Sequence, residues 1–405
     1  MTGEILFLAH RIPFPPDRGD KIRSWHVLKH LSGLARVHLA CFADDAADAA
    51  HIDGLRRALG DRLGEIHVEV RRTGRAMAAA RAFATGKPVS LTLFDSARMR
   101  AFVAARLADP RVAAIYAFSG QMAQFVPANA RQRFIMDFVD MDSAKFEAYA
   151  KAGGLLSRVH AREAERLFAF EREVAARADA SLFVSEAEAA LFRGRAGAAN
   201  VHALANGIDS VRFDPAAAFP RLTAGERGEE PVLLFTGQMD YRPNVDAVRW
   251  FAAEVLPRLP EARFVIAGRS ATSEVKALGG DRITVTGAVR DMRSWLAAAD
   301  VVVAPLRIAR GIQNKVLEAM AMARPVVATP AAFEGIEAEP GRDLIVADGA
   351  EAMAREIEGL LASPDRAASL GAAGRRLVVA RYGWDARLAP LDGLIFPAAA
   401  KREAA

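Results

Sequence analysis

The run from Ala309 to Thr329 carries the clearest chemistry of this chain and reads as loop, helix and strand. Glu318 sits one turn into the helix. It lies beside a loop that follows Ala299 to Pro305, an apolar, proline-closed run of the kind found in strands buried on both faces. A carboxylate in that place can accept two hydrogen bonds from the hydroxyls of a ribose or another sugar. Gly311 lets the backbone approach a ligand, Asn314 is placed to cap the helix, and the free amides of a helix start attract a phosphate. An acid early in a helix also simply offsets the helix dipole, and on spacing alone that plainer role has the stronger claim.

A second stretch has the parts of a diphosphate site. Val232 to Phe235 reads as a strand, Gly237 as the turn after it, and Pro243 suits the first turn of a helix from Asn244 to Val255. The connection brings together a glycine backbone, the Arg242 guanidinium and a helix N-terminus, although an ordinary tight strand-to-helix connection has the same outline. Two further strands end in Gly268 and Gly287, a residue that permits sharp turns and close ligand approach.

Near the amino terminus, the proline-rich loop after the strand Ile5 to Ala9 runs through Gly19 into a helix capped by Asp20. Gly19, Lys21 and Arg23 are thereby placed where ligands meet sheets of this type. No G-x-G-x-x-G follows that strand, which counts against a nicotinamide or flavin fingerprint there. Asp140 and Asp142 follow another strand. As a two-residue D-x-D pattern they have a weaker claim as metal ligands than as crevice carboxylates, or as a helix cap supplied by Asp142 or Ser143.

The elements that must position these residues alternate along the chain. Strand patterns at 5–9, 37–42, 66–70, 113–117, 134–138, 181–184 and 201–204 are separated mostly by helical stretches, the longest from about 144 to 178. The alternation predicts a parallel, doubly wound α/β sheet. At 405 residues the chain is long enough for two domains of roughly 200 residues each. The turn Asn206-Gly207-Ile208-Asp209 and the polar connection to Glu230 mark the boundary. The expected division is 1–205, 206–385 and a C-terminal extension, 386–405, packing back on the N-terminal domain.

The single cysteine, Cys41, excludes disulfides and cysteine-ligated metal within one chain and fits a reducing, cytoplasmic location. No apolar run reaches the ~20 residues of a membrane span, and the first ten residues lack an export signal. The net charge is +5, and it is uneven. Arg71, Arg72, Arg75, Arg81, Lys87, Arg98, Arg100 and Arg106 fall in a stretch where Asp95 is the only acid before Asp109. An anionic membrane surface, an acidic substrate or simply a solvated arginine face would account for it.

Taken in order, the Asn206–Asp209 junction, Phe235-Thr236-Gly237, Ile266-Ala267-Gly268, Val285-Thr286-Gly287-Ala288-Val289, Ala299 to Pro305 and Lys315 to Ala321 resemble a retaining GT-B glycosyltransferase of family 4. The finer runs 235–244 and 311–321 resemble the sugar transferases associated with exosortase/PEP-CTERM systems and exopolysaccharide synthesis. The resemblance implies two Rossmann-like domains facing a cleft. It implies transfer of a sugar from a nucleotide diphosphate sugar to an acceptor hydroxyl, with retention, no metal and no other cofactor. By it, Glu318 binds the ribose, Gly237 and Arg242 approach the diphosphate, and Lys315 adds charge there, Arg242 and Lys315 assisting departure of the leaving group. Gly311 and Ile312 present amides to sugar or phosphate, and the base lies against Gly287 to Arg290. Gly19, Lys21, Arg23 and Asp140 fall on the acceptor side. The expected partners are the donor, a lipid-linked or glycan acceptor and an anionic membrane surface, with no nucleic acid.

The chain departs from the family pattern in two places. Arg310 stands where an acid usually precedes the helix glutamate, and the N-domain histidine has no clear counterpart, with His10, His26 and His160 as substitutes. A non-hydrolysing sugar-nucleotide epimerase shares the architecture, and a two-lobed sugar-binding protein shares its two-domain outline.

Overall fold

The computed structural model describes residues 3–151, 153–154, 156–309 and 312–397. The chain divides into two compact units, residues 1–206 with 387–405, and residues 207–386.

In the first unit the strands are β1 (Glu4–Ala9), β2 (Val37–Ala43), β3 (Leu63–Val70), β4 (Val112–Phe118), β5 (Arg133–Val139), β6 (Ala180–Phe183) and β7 (Val201–Ala203). They form one sheet in the order β3-β2-β1-β4-β5-β6-β7, every neighbouring pair parallel. Their apolar runs are buried almost end to end in β1 and β2, as parallel strands covered on both faces require. The order reverses between β1 and β4, so the loops leaving those strands diverge at the carboxyl edge and open a crevice.

Two local expectations are corrected. The helix after β1 is Gly19–Leu34, and its cap position is Arg18 rather than Asp20. Asp20 instead lies in the first turn, its carboxylate taken by Arg11 at 2.6 Å and facing His10 at 3.3 Å. The long helix expected over 144–178 is two helices, Asp142–Lys151 and Ser157–Arg177. Gly153 and Gly154 interrupt it in left-handed conformations, φ 82° and 100°, that other residues adopt at a cost. The described residues 387–397 belong to this unit: His30 and Asp392 meet at 2.7 Å, and the Arg133 guanidinium donates to the carbonyl of Leu394.

The second unit holds β8 (Val232–Thr236), β9 (Arg263–Ala267), β10 (Ile283–Gly287), β11 (Val301–Ala304), β12 (Val326–Ala328) and β13 (Ile345–Val346). Their order is β10-β9-β8-β11-β12-β13, again parallel throughout, with the reversal between β8 and β11. Phe264 of β9, the strand beside the buried β8, packs on Phe251 with ring centroids 4.5 Å apart. The helix after β8 is Arg242–Trp250, continued by a wider turn to Val255, with Pro243 in its first turn. The helix after β11 is Asn314–Ala321 and starts at Asn314, so Gln313 occupies the cap position expected for Asn314. Among the described residues no helix is long and apolar enough to cross a membrane.

Candidate functional site: the carboxyl edge of the second sheet

Gly237 leaves β8 at the point where the strand order reverses, and its backbone sets the geometry around it. Its φ is 159°, its amide donates to the carbonyl of Ala267 at 3.0 Å, and a Cβ placed on it would lie 2.7 Å from Asn244 Nδ2 and 3.3 Å from Lys315 Nζ. Gly268, leaving β9 with φ 155°, lies closer still: a Cβ there would fall 1.6 Å from the carbonyl oxygen of Gly237. The Gly268 amide in turn donates to the carbonyl of Gly287, at the end of β10, at 3.2 Å. The glycines that end or follow three adjacent strands therefore join into one side-chain-free backbone surface, the form a phosphate needs to approach closely.

Lys315 closes that surface. It lies in the first turn of the Asn314–Ala321 helix; its ammonium donates to Asn244 Oδ1 and stands 4.4 Å from the centre of the Phe235 ring. Asn244, buried in the first turn of the other helix, anchors the pair by donating from Nδ2 to the Gln238 carbonyl at 2.9 Å. Burial lowers the Lys315 pKa to about 8, against the opposing pull of Glu318. Two helix N-termini and one partly desolvated ammonium thus meet beside bare backbone, an arrangement suited to an anion.

Glu318 follows Lys315 by three residues and so shares its side of the helix. Burial raises its pKa to about 7, while the charges of Arg212 and Lys315 hold it down from going further. A carboxylate so placed titrates near neutrality and accepts hydroxyl hydrogen bonds when ionised.

Arg242 begins its helix and is exposed, Arg290 is exposed beyond Gly287, and Gly287 has a left-handed φ of 68°. Ile312 is more than a third exposed, and a Cβ on Gly335 would come within 3.4 Å of its side chain. Gly311 and Arg310 lie outside the described residues. Sequence reasoning missed Asn244, Phe235 and Arg212 as parts of this site. An asparagine at a helix start was the available signal for the first. The other two are brought near by the fold alone.

In the first unit, Gly19 is exposed at its helix start, and Asp140 is exposed just beyond β5. Lys21 is buried, its ammonium 2.7 Å from Asp48. Arg23 differs from the expectation that it meets a ligand. It is 1% exposed and donates to Asp137 at 2.9 and 3.1 Å, to the Leu204 carbonyl at 2.7 Å and to Asn206 at 2.9 Å. Its Nε, Nη1 and Nη2 thus all donate within its own unit. His10 stacks on Phe118 with centroids 5.8 Å apart, after β1 and beside the strand reversal. Among the described residues no group of three or more His, Cys, Asp or Glu is placed to hold a metal ion.

Comparison with known proteins bears on the fold and on the sequence of the second unit. Residues 230–363 match the family model described as Glycosyl transferases group 1. A GDP-mannose-dependent alpha-(1-6)-phosphatidylinositol monomannoside mannosyltransferase of Mycobacterium tuberculosis is 29% identical over 232 residues, 53% of this chain and 60% of that protein. A D-inositol 3-phosphate glycosyltransferase of Xylanimonas cellulosilytica is 32% identical over 230 residues, 51% of this chain and 53% of that protein. The chain thus spans less than two thirds of the length of the curated relatives it matches.

Among solved structures, Anabaena HepE in complex with UDP superposes with a TM-score of 0.60 at 16% identity, covering 96% of this chain and 98% of that one. A glycosyltransferase from Rickettsia africae gives 0.62 at 14% identity, covering 97% and 98%. The fold, two parallel sheets of seven and six strands with their helices, is that of the GT-B glycosyltransferases, and residues 230–363 carry the sequence pattern of Glycosyl transferases group 1.

Proposed function

We propose that this chain is a glycosyltransferase that moves a sugar from a nucleotide diphosphate sugar to an acceptor hydroxyl, with retention of anomeric configuration and with no metal or other cofactor. The observation that carries the reading is the meeting of the Lys315 ammonium, Asn244 and the Gly237 backbone between two helix N-termini, with Glu318 one turn further on. The diphosphate rests on Gly237, Lys315 and the exposed Arg242. Glu318 accepts hydrogen bonds from the ribose hydroxyls, and the base lies along Gly287 to Arg290. As the bond from the anomeric carbon to the phosphate oxygen breaks, charge gathers on the diphosphate, where Lys315 and Arg242 stabilise it. The new bond forms from the acceptor oxygen to the same carbon, and the acceptor proton passes to the departing diphosphate.

The named substrates of the relatives support a nucleotide-sugar donor and a lipid-linked acceptor. The runs 235–244 and 311–321 support a place in exopolysaccharide or cell-surface glycan synthesis, close to the exosortase-associated transferases, and the basic stretch from Arg71 to Arg106 supports a position at the cytoplasmic face of an anionic membrane. Gly19 and Asp140 serve the acceptor side, with Lys21 held by Asp48; Arg23 belongs to the core of its unit.

The experiment is transfer from a panel of nucleotide sugars to a polyprenyl-phosphate-linked acceptor, with products identified by mass spectrometry. Glu318→Ala should raise the donor KM about tenfold, the worth of a hydrogen bond to a charged acceptor, and change kcat little. An unchanged KM would remove Glu318 from the donor site. Conversion of the donor sugar without any acceptor would point to an epimerase.

A further inference from the structure

The first unit exposes an apolar and basic surface that the donor chemistry does not use. Of the five large apolar side chains exposed among its described residues, Met77, Phe83, Tyr149 and Leu156 lie in two connected places, the fifth being Leu191. Met77 and Phe83 stand on the outward half of the helix Arg75–Thr85, whose inward side is marked by the fully buried Ala78 and Ala82. Tyr149 and Leu156 lie at the turn between the helices Asp142–Lys151 and Ser157–Arg177, which pack through the rings of Phe146, Tyr149 and His160 at 5.7 to 6.0 Å.

The two places are one surface. Arg162 donates to the carbonyl of Ala82 at 2.9 Å and lies 4.6 Å over the Phe83 ring. The next residue, Glu163, is buried and accepts from the amides of Val89 and Ser90 at 2.7 and 2.8 Å, fixing the segment after the Arg75–Thr85 helix against the Ser157–Arg177 helix. Leu156 precedes Arg162 by six residues, about 9 Å of helix rise.

The charge around these side chains has one sign on the 70–94 side. That stretch holds Arg71, Arg72, Arg75, Arg81 and Lys87 and no acid. Arg72, Arg81, Lys87 and, across the contact, Arg158 are exposed. Single apolar side chains spaced among cations suit a surface that needs depth and negative charge rather than a matching shape.

The geometry points to this face, the outward side of the Arg75–Thr85 helix with the Tyr149 and Leu156 turn, as the docking surface for an anionic lipid bilayer, with Phe83 and Leu156 entering the headgroup region. The inference rests on the membrane part of the reading above and on none of its chemistry.

The test is co-sedimentation of the full chain with vesicles of phosphatidylcholine alone and of phosphatidylcholine mixed with phosphatidylglycerol. Binding should favour the anionic vesicles at least tenfold and weaken with salt. Arg81→Gln with Lys87→Gln should lower anionic binding about twentyfold at low salt. Phe83→Ser with Leu156→Ser should lower it about tenfold in both salts, the apolar contribution being unscreened. Equal binding to both vesicles, or wild-type binding by both variants, overturns the inference. So does a dimer in sedimentation velocity that the apolar pair of substitutions dissociates, which would assign the face to a second copy. Affinity for a nucleoside diphosphate, set by residues of the second unit, serves as the folding control and reports separately on the transferase reading.

Discussion

Lys315→Met should weaken binding of a nucleoside diphosphate by about a hundredfold, roughly 2–3 kcal/mol for a lost charge-assisted contact at a partly desolvated site. Methionine keeps an apolar stem against the Phe235 ring while removing the ammonium that donates to Asn244. The pH dependence gives a second signature. With the free lysine at about 8, the binding form is already protonated below that pH, and affinity there is insensitive to Lys315. Above it the lysine must take up a proton to bind the diphosphate, so affinity falls toward tenfold per pH unit until the higher pKa of the bound state is reached. On the acid side, protonation of Glu318 near 7 removes an acceptor for the ribose, which places the best binding between about 7 and 8. Calorimetry in buffers of different ionisation enthalpy should show proton uptake at alkaline pH in the wild type and none in Lys315→Met. Native affinity in the variant would remove the diphosphate assignment.

Arg23→Met should destabilise the first unit by about 3–5 kcal/mol, the cost of stranding one member of a buried ion pair. Asp137 is fully buried, and after the substitution its donors among the described residues are the Tyr116 hydroxyl at 2.7 Å and the Val139 amide at 3.2 Å. The Leu204 carbonyl and Asn206 lose their donor in the same step, so one side chain releases partners in β5 and beyond β7. Against a typical total of roughly 5–15 kcal/mol, this should move the urea midpoint of the first unit well below that of the second. Combining Arg23→Met with Asp137→Asn should recover part of the loss, because the second change removes the stranded charge. A midpoint unchanged in the single variant would mean that water replaces the arginine, and the pair would then be no anchor of the core.

The repeated strand-and-helix pattern was legible because parallel strands buried on both faces leave short β-branched runs that little else produces. Gly237 and Glu318 stood out as residues of unusual type at the ends of such runs, and the resemblance added Lys315. What sequence could not show was pairing across distance. Asn244 reads as part of a helix start, and only folding brings it to Lys315, 71 positions away. Arg212 lies in a polar connection and acquires a role only because its charge acts on Glu318. Arg23 failed in the opposite direction. It has the spacing of a ligand-facing cation, yet the buried Asp137 draws it inward, and a strand acid gives no sign of which arginine will neutralise it. The break at Gly153-Gly154 was readable, since paired glycines interrupt helices; the helical pattern on either side obscured it.

The first unit is assembled from both sides of the second in the chain, with residues 387–397 lying against residues of the first 206. This sets an order for synthesis on the ribosome. His30 and Arg133 are made early, but Asp392 and Leu394 reach them only after all of 207–386 has been translated. At roughly 5–20 residues per second, residues 207–386 alone impose a delay of about ten to forty seconds. Throughout it the start of β5, at Arg133, has been made without its C-terminal covering, the interval in which the nascent chain has most need of a chaperone. The second unit, continuous in sequence, has no such wait.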